Sequence, residues 1–355
     1  MLNVQTQENA PCSEKGESVV APGCEHILIA KDPSRHLAFP DACRSRSGDL
    51  FVVYRDGERH VDPSGRIMIV QGSRVGEQWR FGQPTVVCDT DLDDRDPSIV
   101  ELSDGSLLVN FFRLDSETKG LRLSLIRSWD RGETWGEPWD VRVPGFTNAL
   151  AVSDAIVELP SGELLMAVYG MSDSGEGGSF VLRSQDAGST WPDVRPLAVA
   201  EAPIYEEPAL AYLENGQLVT FLRTDNRGLG YIYQAKSWDD GHTWSQPERL
   251  DLWGYPSDLL ALTNGALLAT YGYRQLPTGI RYCLAHRPTQ WSIRQERILR
   301  ADGHDCGELG YPSSVEVGAE EIMTVYYFTD RNGGMPYIAG TVFDTNLRRC
   351  VHDHV

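Results

Sequence analysis

The sequence has no CxxC pair, no excess of basic side chains, no long apolar run and no helical periodicity, and each absence excludes a class of protein. Its 51 acidic residues against 32 basic ones leave a formal net charge of −19. Nucleic acids and anionic membranes are gripped by clustered cations, so neither is expected as a partner unless a locally basic site exists. The seven cysteines, Cys12, Cys24, Cys43, Cys88, Cys283, Cys306 and Cys350, are odd in number and unpaired in spacing. They read as free thiols, and neither a disulfide framework nor a zinc site is indicated. No apolar run approaches the roughly 20 residues that cross a bilayer. Met1–Ala10 lacks the basic start and apolar middle of a secretory signal. The chain as it stands therefore reads as cytoplasmic, or as secreted or periplasmic if a leader has been removed.

What is present is 41% hydrophobic and 23% charged residues over 355 positions, enough for a large folded core. That core is built from repeats. Ser128–Trp135 (SWDRGETW), Ser184–Trp191 (SQDAGSTW) and Ser237–Trp244 (SWDDGHTW) share one pattern, S-x-D-x-G-x-T-W, and eroded copies end at Trp79 and Trp291. Ahead of each copy lies an apolar strand, a Gly turn and a second apolar strand, as in SIVELSDGSLLVNFFR ending at Arg113 and ALAYLENGQLVTFLR ending at Arg223. The turn positions Gly48, Gly105, Gly162, Gly216, Gly265 and Ala319 recur every 49 to 57 residues.

Four short antiparallel strands per repeat and six repeats predict an all-β fold, a six-bladed β-propeller of four-stranded blades. The last repeat has only three strands, so the strand EHILIAK near residue 25 is expected to complete it and close the ring. Residues 1–20 are polar and read as a flexible arm, leaving 21–355 as one propeller domain. His352 and His354 read as part of a polar tail. In the S-x-D-x-G-x-T-W turns the Asp accepts backbone N–H bonds and the Trp packs, which is scaffold chemistry. Asp130, Asp186 and Asp239 recur once per blade, whereas an active site is built once.

These Asp-box (BNR) turns in six units make the chain resemble the sialidase (neuraminidase) superfamily over nearly its whole length. In a propeller the starts of first strands and the ends of second strands meet at one mouth of the funnel. Second-strand ends supply Arg55, Arg113, Arg223 and Arg274. First-strand starts supply Asp41, Arg95 with Asp96, Asp154, Glu206 with Glu207, Tyr255 and Tyr311. Several arginines in so acidic a chain point to an anion site, because guanidinium binds carboxylate bidentately and stays charged when buried.

The resemblance implies three arginines on the sugar carboxylate, an Asp acid/base and a Tyr nucleophile activated by a Glu. Glu207-Pro208 and the strand to Arg223 match the family's Glu and one Arg, with Glu206 the neighbouring alternative. Tyr311 in GYPSSVEV matches the nucleophile, and Tyr255 in GYPSDLLAL holds the same place one blade earlier. Asp62 lies in the first-blade loop that carries the family's acid/base, and His60 is a rival there. Arg274 or Arg281 resembles a second carboxylate ligand. The third is missing: Ala38-Phe39-Pro40 stands where the family has an Arg, and Arg95 or Arg55 could serve instead.

The resulting expectation is an exo-acting glycoside hydrolase for a terminal acidic sugar, with no metal or cofactor and a carbohydrate as its partner. A non-catalytic glycan-binding propeller and a uronate polysaccharide lyase are the alternatives.

Overall fold

The computed structural model describes residues 24–224, 229–285, 291–304 and 308–345. The arm 1–20, His352, His354, Cys12, Cys306 and Cys350 lie outside them. Apart from one 3-10 turn, Ile293–Gln295, every regular element among the described residues is a strand. The strands form six antiparallel sheets.

Blade 1 holds His36–Arg44, Leu50–Gly57, Arg66–Val75 and Gln78–Phe81, with Thr85–Cys88 also paired to its third strand. Blade 2 holds Asp93–Glu101, Leu107–Leu114, Leu121–Ser128 and Trp139–Asp140. In blade 3 the first strand is broken into Leu150–Ala151 and Val157–Glu158, followed by Leu164–Met171, Gly177–Ser184 and Asp193–Val199. Blade 4 holds Tyr205–Tyr212, Leu218–Thr224, Tyr231–Ser237 and Glu248–Trp253, and blade 5 Ser257–Ala261, Leu267–Tyr273, Gly279–Ala285 and Arg297–Arg300. Blade 6 contributes Gly310–Gly318, Glu321–Phe328 and Tyr337–Asp344, and its fourth strand is the N-terminal Glu25–Ala30, with Leu28 opposite Ala339. The ring is thus closed by both ends of the chain, as expected.

Alternation along each strand turns apolar side chains to both faces of every sheet, because every sheet is covered on both sides by its neighbours. Six hydrophobic clusters follow, one at each blade interface; the cluster of Leu37, Val52, Val315 and Ile338 joins the first blade to the last. The Asp boxes fasten the rims. In blade 3, Asp186 accepts the Thr190 N–H at 2.8 Å and its hydroxyl at 2.6 Å, while Trp191 donates to the Gly188 carbonyl at 3.1 Å. Gly188 has φ of 86°, which a residue with a Cβ rarely adopts. Hydrogen bonds from Thr134 hold the Asp130 carboxyl down at about 2, and Asp186 and Asp239 move the same way.

One irregularity recurs near the axis. In blades 1, 2, 4 and 6 the first strand carries one extra residue relative to its partner, at Ala38/Asp41, Arg95/Ser98, Glu206/Ala209 and Gly310/Ser313. Each bulge holds an X-Pro pair: Phe39-Pro40, Asp96-Pro97, Glu207-Pro208 and Tyr311-Pro312. Proline has no N–H for the ladder, and the residue before it is left-handed, with φ of 55°, 49°, 44° and 46° respectively.

Candidate active site

Three of these four bulge residues meet in space through the contacts that follow, and the fourth, Asp96, is coupled to them electrostatically. Tyr311 donates its phenol hydrogen to Glu207 Oε1 at 2.5 Å, although the two residues are 104 positions apart. Arg223 Nη1 donates to both oxygens of the same carboxylate at 2.8 Å. Glu207 is buried, so its charge is balanced by Arg223 and its remaining acceptor capacity is used by the phenol. Burial, then the charge of Glu207, pushes the Tyr311 phenol well above its ordinary value. The tyrosine therefore rests neutral, with its proton already shared with a carboxylate able to take it. Burial opposes the Arg223 charge, but Glu207 and Tyr311 outweigh it and raise that guanidinium.

A second guanidinium stands beside the first. Arg223 and Arg274 lie 4.7 and 5.1 Å from the Tyr255 ring centroid, so this tyrosine is an aromatic partition between two cations. The Nε atoms of both arginines are buried and have no hydrogen-bond partner. Buried donors left unmatched are rare and costly, so these two call for an explanation. Arg274 is anchored by a bond from Nη2 to the Leu309 carbonyl at 3.3 Å.

On the other side of Tyr311, the Phe39 ring packs edge-on at 4.7 Å between centroids, and Arg95 lies 5.1 Å over Phe39. Arg95 is held by the His60 carbonyl at 2.6 Å and Asp93 at 3.1 Å. Asp96 Oδ1 is buried without a hydrogen-bond partner, 3.8 Å from Arg95. Burial raises the Asp96 carboxyl to about 7; Arg95 pulls it down, and Glu207 pushes it up again. The site thus holds a phenol–carboxylate pair, three guanidinium groups and one carboxyl whose ionisation is raised to near neutrality.

Residues 48–323 match the family model for the BNR repeat-like domain. The chain belongs to the BNR repeat-like family. No curated protein sequence matches it. Among solved structures, this BNR repeat-like chain is similar to a Dyadobacter fermentans protein of unknown function, at 25% identity and TM-score 0.78, covering 91% of this chain and all of that one. It is also similar in fold to the Hadza microbial sialidase Hz136, at 18% identity and TM-score 0.66, over 87% of this chain and 66% of the other. The Trypanosoma rangeli sialidase in complex with sialic acid matches at 15% identity and TM-score 0.69, over 93% of this chain and 60% of its own length. At those identities the two sialidases share the propeller fold with the BNR repeat-like chain, and they are longer than it.

The other residues singled out by repeat position are placed differently. Arg55 is fully buried and bound by Asp93 at 2.7 Å and by the carbonyls of Arg59 and Asp62, so it braces the 58–62 loop. Arg113 bonds to Ser124 at 2.9 Å and to Asp140, and Arg281 pairs with Glu296 while stacking over Tyr273. Arg113 and Arg281 serve their own blades, and Arg55 ties blade 1 to Asp93 of blade 2. Asp62 accepts the Ser64 N–H at 2.8 Å and faces Arg59 at 3.4 Å. Burial raises its carboxyl, but the Ser64 bonds and Arg59 win and lower it. Its observed partners are those of a turn. Of the two replacements considered for the arginine absent at Ala38, Arg95 is the one beside Phe39. Asp41 and Asp154 accept the Ile99 and Leu210 amides at 2.7 and 2.6 Å, which joins neighbouring blades.

Phe39, Tyr169 and Tyr327 were not singled out from sequence. Tyr327 lies 6.1 Å from Tyr311 between ring centroids, and the Tyr169 phenol is raised by burial and by the charges of Glu207 and Asp96. Their signal was available: Tyr169 and Tyr327 sit at second-strand ends, and Phe39 precedes a proline just as Glu207 and Tyr311 do.

Proposed function

We propose that the chain is an exo-acting glycoside hydrolase that removes a terminal acidic sugar, with sialic acid or a close relative as the substrate class. The observation that carries this reading is the 2.5 Å bond from the Tyr311 phenol to Glu207, whose carboxylate is paired with Arg223. A carboxylate nucleophile would be repelled by the carboxylate of an acidic sugar. A neutral phenol approaches without that penalty and loses its proton to Glu207 only as the bond forms.

In the first step the Tyr311 oxygen bonds to the anomeric carbon, its proton passes to Glu207, and the glycosidic C–O bond breaks. The departing oxygen takes a proton from an acid. In the second step water attacks the anomeric carbon and gives a proton to the base form of that acid, while the phenol oxygen leaves and recovers its proton from Glu207. Arg223, Arg274 and Arg95 hold the sugar carboxylate, and the free Nε donors of the first two favour this assignment. Asp96 is favoured over Asp62 as the proton donor, because burial raises its carboxyl to about 7, so a large fraction still carries a proton near neutrality, and because it keeps one oxygen unmatched. His60 remains near this acid through the Arg95 bond to its carbonyl.

The test is fluorophore release from aryl α-sialosides and glucuronides. Loss of turnover in both Tyr311→Phe and Glu207→Ala, with a fluorinated acidic sugar trapped on Tyr311 by mass spectrometry, is the expected result. Full turnover in Tyr311→Phe would overturn the mechanism. A second reading, a glycan-binding propeller without turnover, is favoured by Ala38 in place of an arginine. It predicts saturable sugar binding that Tyr311→Phe leaves intact.

A further inference from the structure

We propose that His36, His60 and Glu308 form a binding site for a borderline divalent metal ion, Zn²⁺ foremost, at the rim of the funnel. The three residues come from separate places: the start of the first strand of blade 1, the loop after its second strand, and the segment entering blade 6. One donor atom from each lies within 4.8 Å of the others, and among the described residues this is the one such group.

The contacts are long for charge-assisted hydrogen bonds and leave room for a metal between the donors. His36 Nε2 is 3.3 Å and His60 Nδ1 3.5 Å from Glu308 Oε2. Charge-assisted N–H···O bonds close to about 2.7–2.9 Å. Donors at the usual zinc bond lengths around a tetrahedron lie about 3.3–3.5 Å apart, which is the spacing of each histidine nitrogen from Glu308 Oε2, with all three donors within 4.8 Å of one another. Two imidazoles and one carboxylate are also the donor set of zinc sites that keep a position open.

The ligands are positioned by their surroundings. His36 and His60 pack edge-to-face at 5.4 Å between centroids, and His60 packs against Phe39 at 5.2 Å. Glu308 is fixed through its carbonyl, which accepts from the Thr329 hydroxyl at 2.8 Å. The His60 and Glu308 side chains are 48% and 47% exposed, so the remaining positions of the metal are open to solvent. Because Phe39 touches both His60 and Tyr311, such a metal would stand one ring away from the phenol. Its open position takes a hydroxyl or carboxylate oxygen of a bound sugar.

The experiment is titration of the untagged full chain with Zn²⁺ by calorimetry and with Co²⁺ by visible absorption. The expected result is one equivalent per chain, weakened at least about a hundredfold by His60→Ala and by Glu308→Gln, and unchanged by the double replacement His352→Ala, His354→Ala. Both tested side chains are about half exposed, so thermal melting of the variants should match the parent. No saturable uptake, uptake that survives both His60→Ala and Glu308→Gln, or uptake lost with the tail histidines would overturn the site. The readout is binding, so it stands or falls apart from sialoside turnover.

Discussion

Ionising Asp41 should cost the fold stability, and replacing it with Asn should recover that loss at neutral pH. Asp41 is buried in the first strand of blade 1 and accepts the Ile99 amide of blade 2 at 2.7 Å. Burial raises its carboxyl from an ordinary 3.8 to about 6, despite bonds from Ser313 and Ile99 that favour the charge. Between those two values the folded chain holds more protons than the unfolded one, so stability falls as pH rises through that window. A gap of about two pH units, at about 1.4 kcal/mol each, amounts to on the order of 3 kcal/mol. In Asp41→Asn the amide oxygen still accepts from Ile99, the amide nitrogen can donate to Ser313, and no charge forms. Urea unfolding of both proteins from pH 4 to 8 should show Asp41→Asn gaining on the parent by that amount. His26 and His60 are lowered by burial and give the opposite slope in the same range, but they are common to both proteins and largely cancel in the difference. Asp154 and Asp258 are raised by burial and by the Asp41 charge, so losing that charge adds to the effect in the same sense. A difference that stays flat or shrinks as pH rises would refute the reasoning.

Asp96→Asn should lower turnover by about 10²–10⁴ on sugars with poor leaving groups and by much less on activated aryl glycosides, while Asp62→Asn leaves that ratio unchanged; the opposite pattern would move the proton donor to Asp62. Asp186→Ala removes acceptors for Thr190 and should cost about 1–2 kcal/mol in urea unfolding with turnover per folded chain unchanged. Turnover lost without loss of stability would contradict a scaffold role for the Asp box.

The architecture was legible because its parts recur: the turn between first and second strands comes six times, five of them on a Gly and the last on Ala319, and a Trp-ending turn comes five times, three of them full Asp boxes, which fixes strand number and order, and the three-strand last repeat announces that the N-terminal strand must fill the gap. The site was legible only where position in the repeat decides where a side chain goes. Glu207, Tyr311, Arg223 and Arg274 are such cases. Arg55, Arg113 and Arg281 also occupy or adjoin equivalent places, yet each is drawn aside by an acid the repeat does not specify: Asp93, Asp140 and Glu296. Which guanidinium faces the funnel is therefore settled by pairing across strands, and single-chain spacing carries no trace of it. The same holds for His36 and Glu308, which approach each other only because the ring closes between blades 1 and 6.

The recurring bulge explains why chemistry collects on particular blades. A regular strand sends alternate side chains to opposite faces, so a residue at a first-strand start would be committed to one blade interface. One extra residue breaks that alternation and re-aims the side chain, and the proline locks the break because it cannot rejoin the ladder. The left-handed backbone this demands of Phe39, Asp96, Glu207 and Tyr311 costs on the order of 1–3 kcal/mol at each non-glycine position. A cost of that kind in four blades is hard to explain by packing, since blade 5 pairs its first and second strands without a bulge. It is explained if the four side chains must share one space, and three of them demonstrably do: Phe39 touches Tyr311, and Tyr311 bonds to Glu207. Strain gathered in these four first strands is the distribution expected of a ring carrying a preorganised polar site.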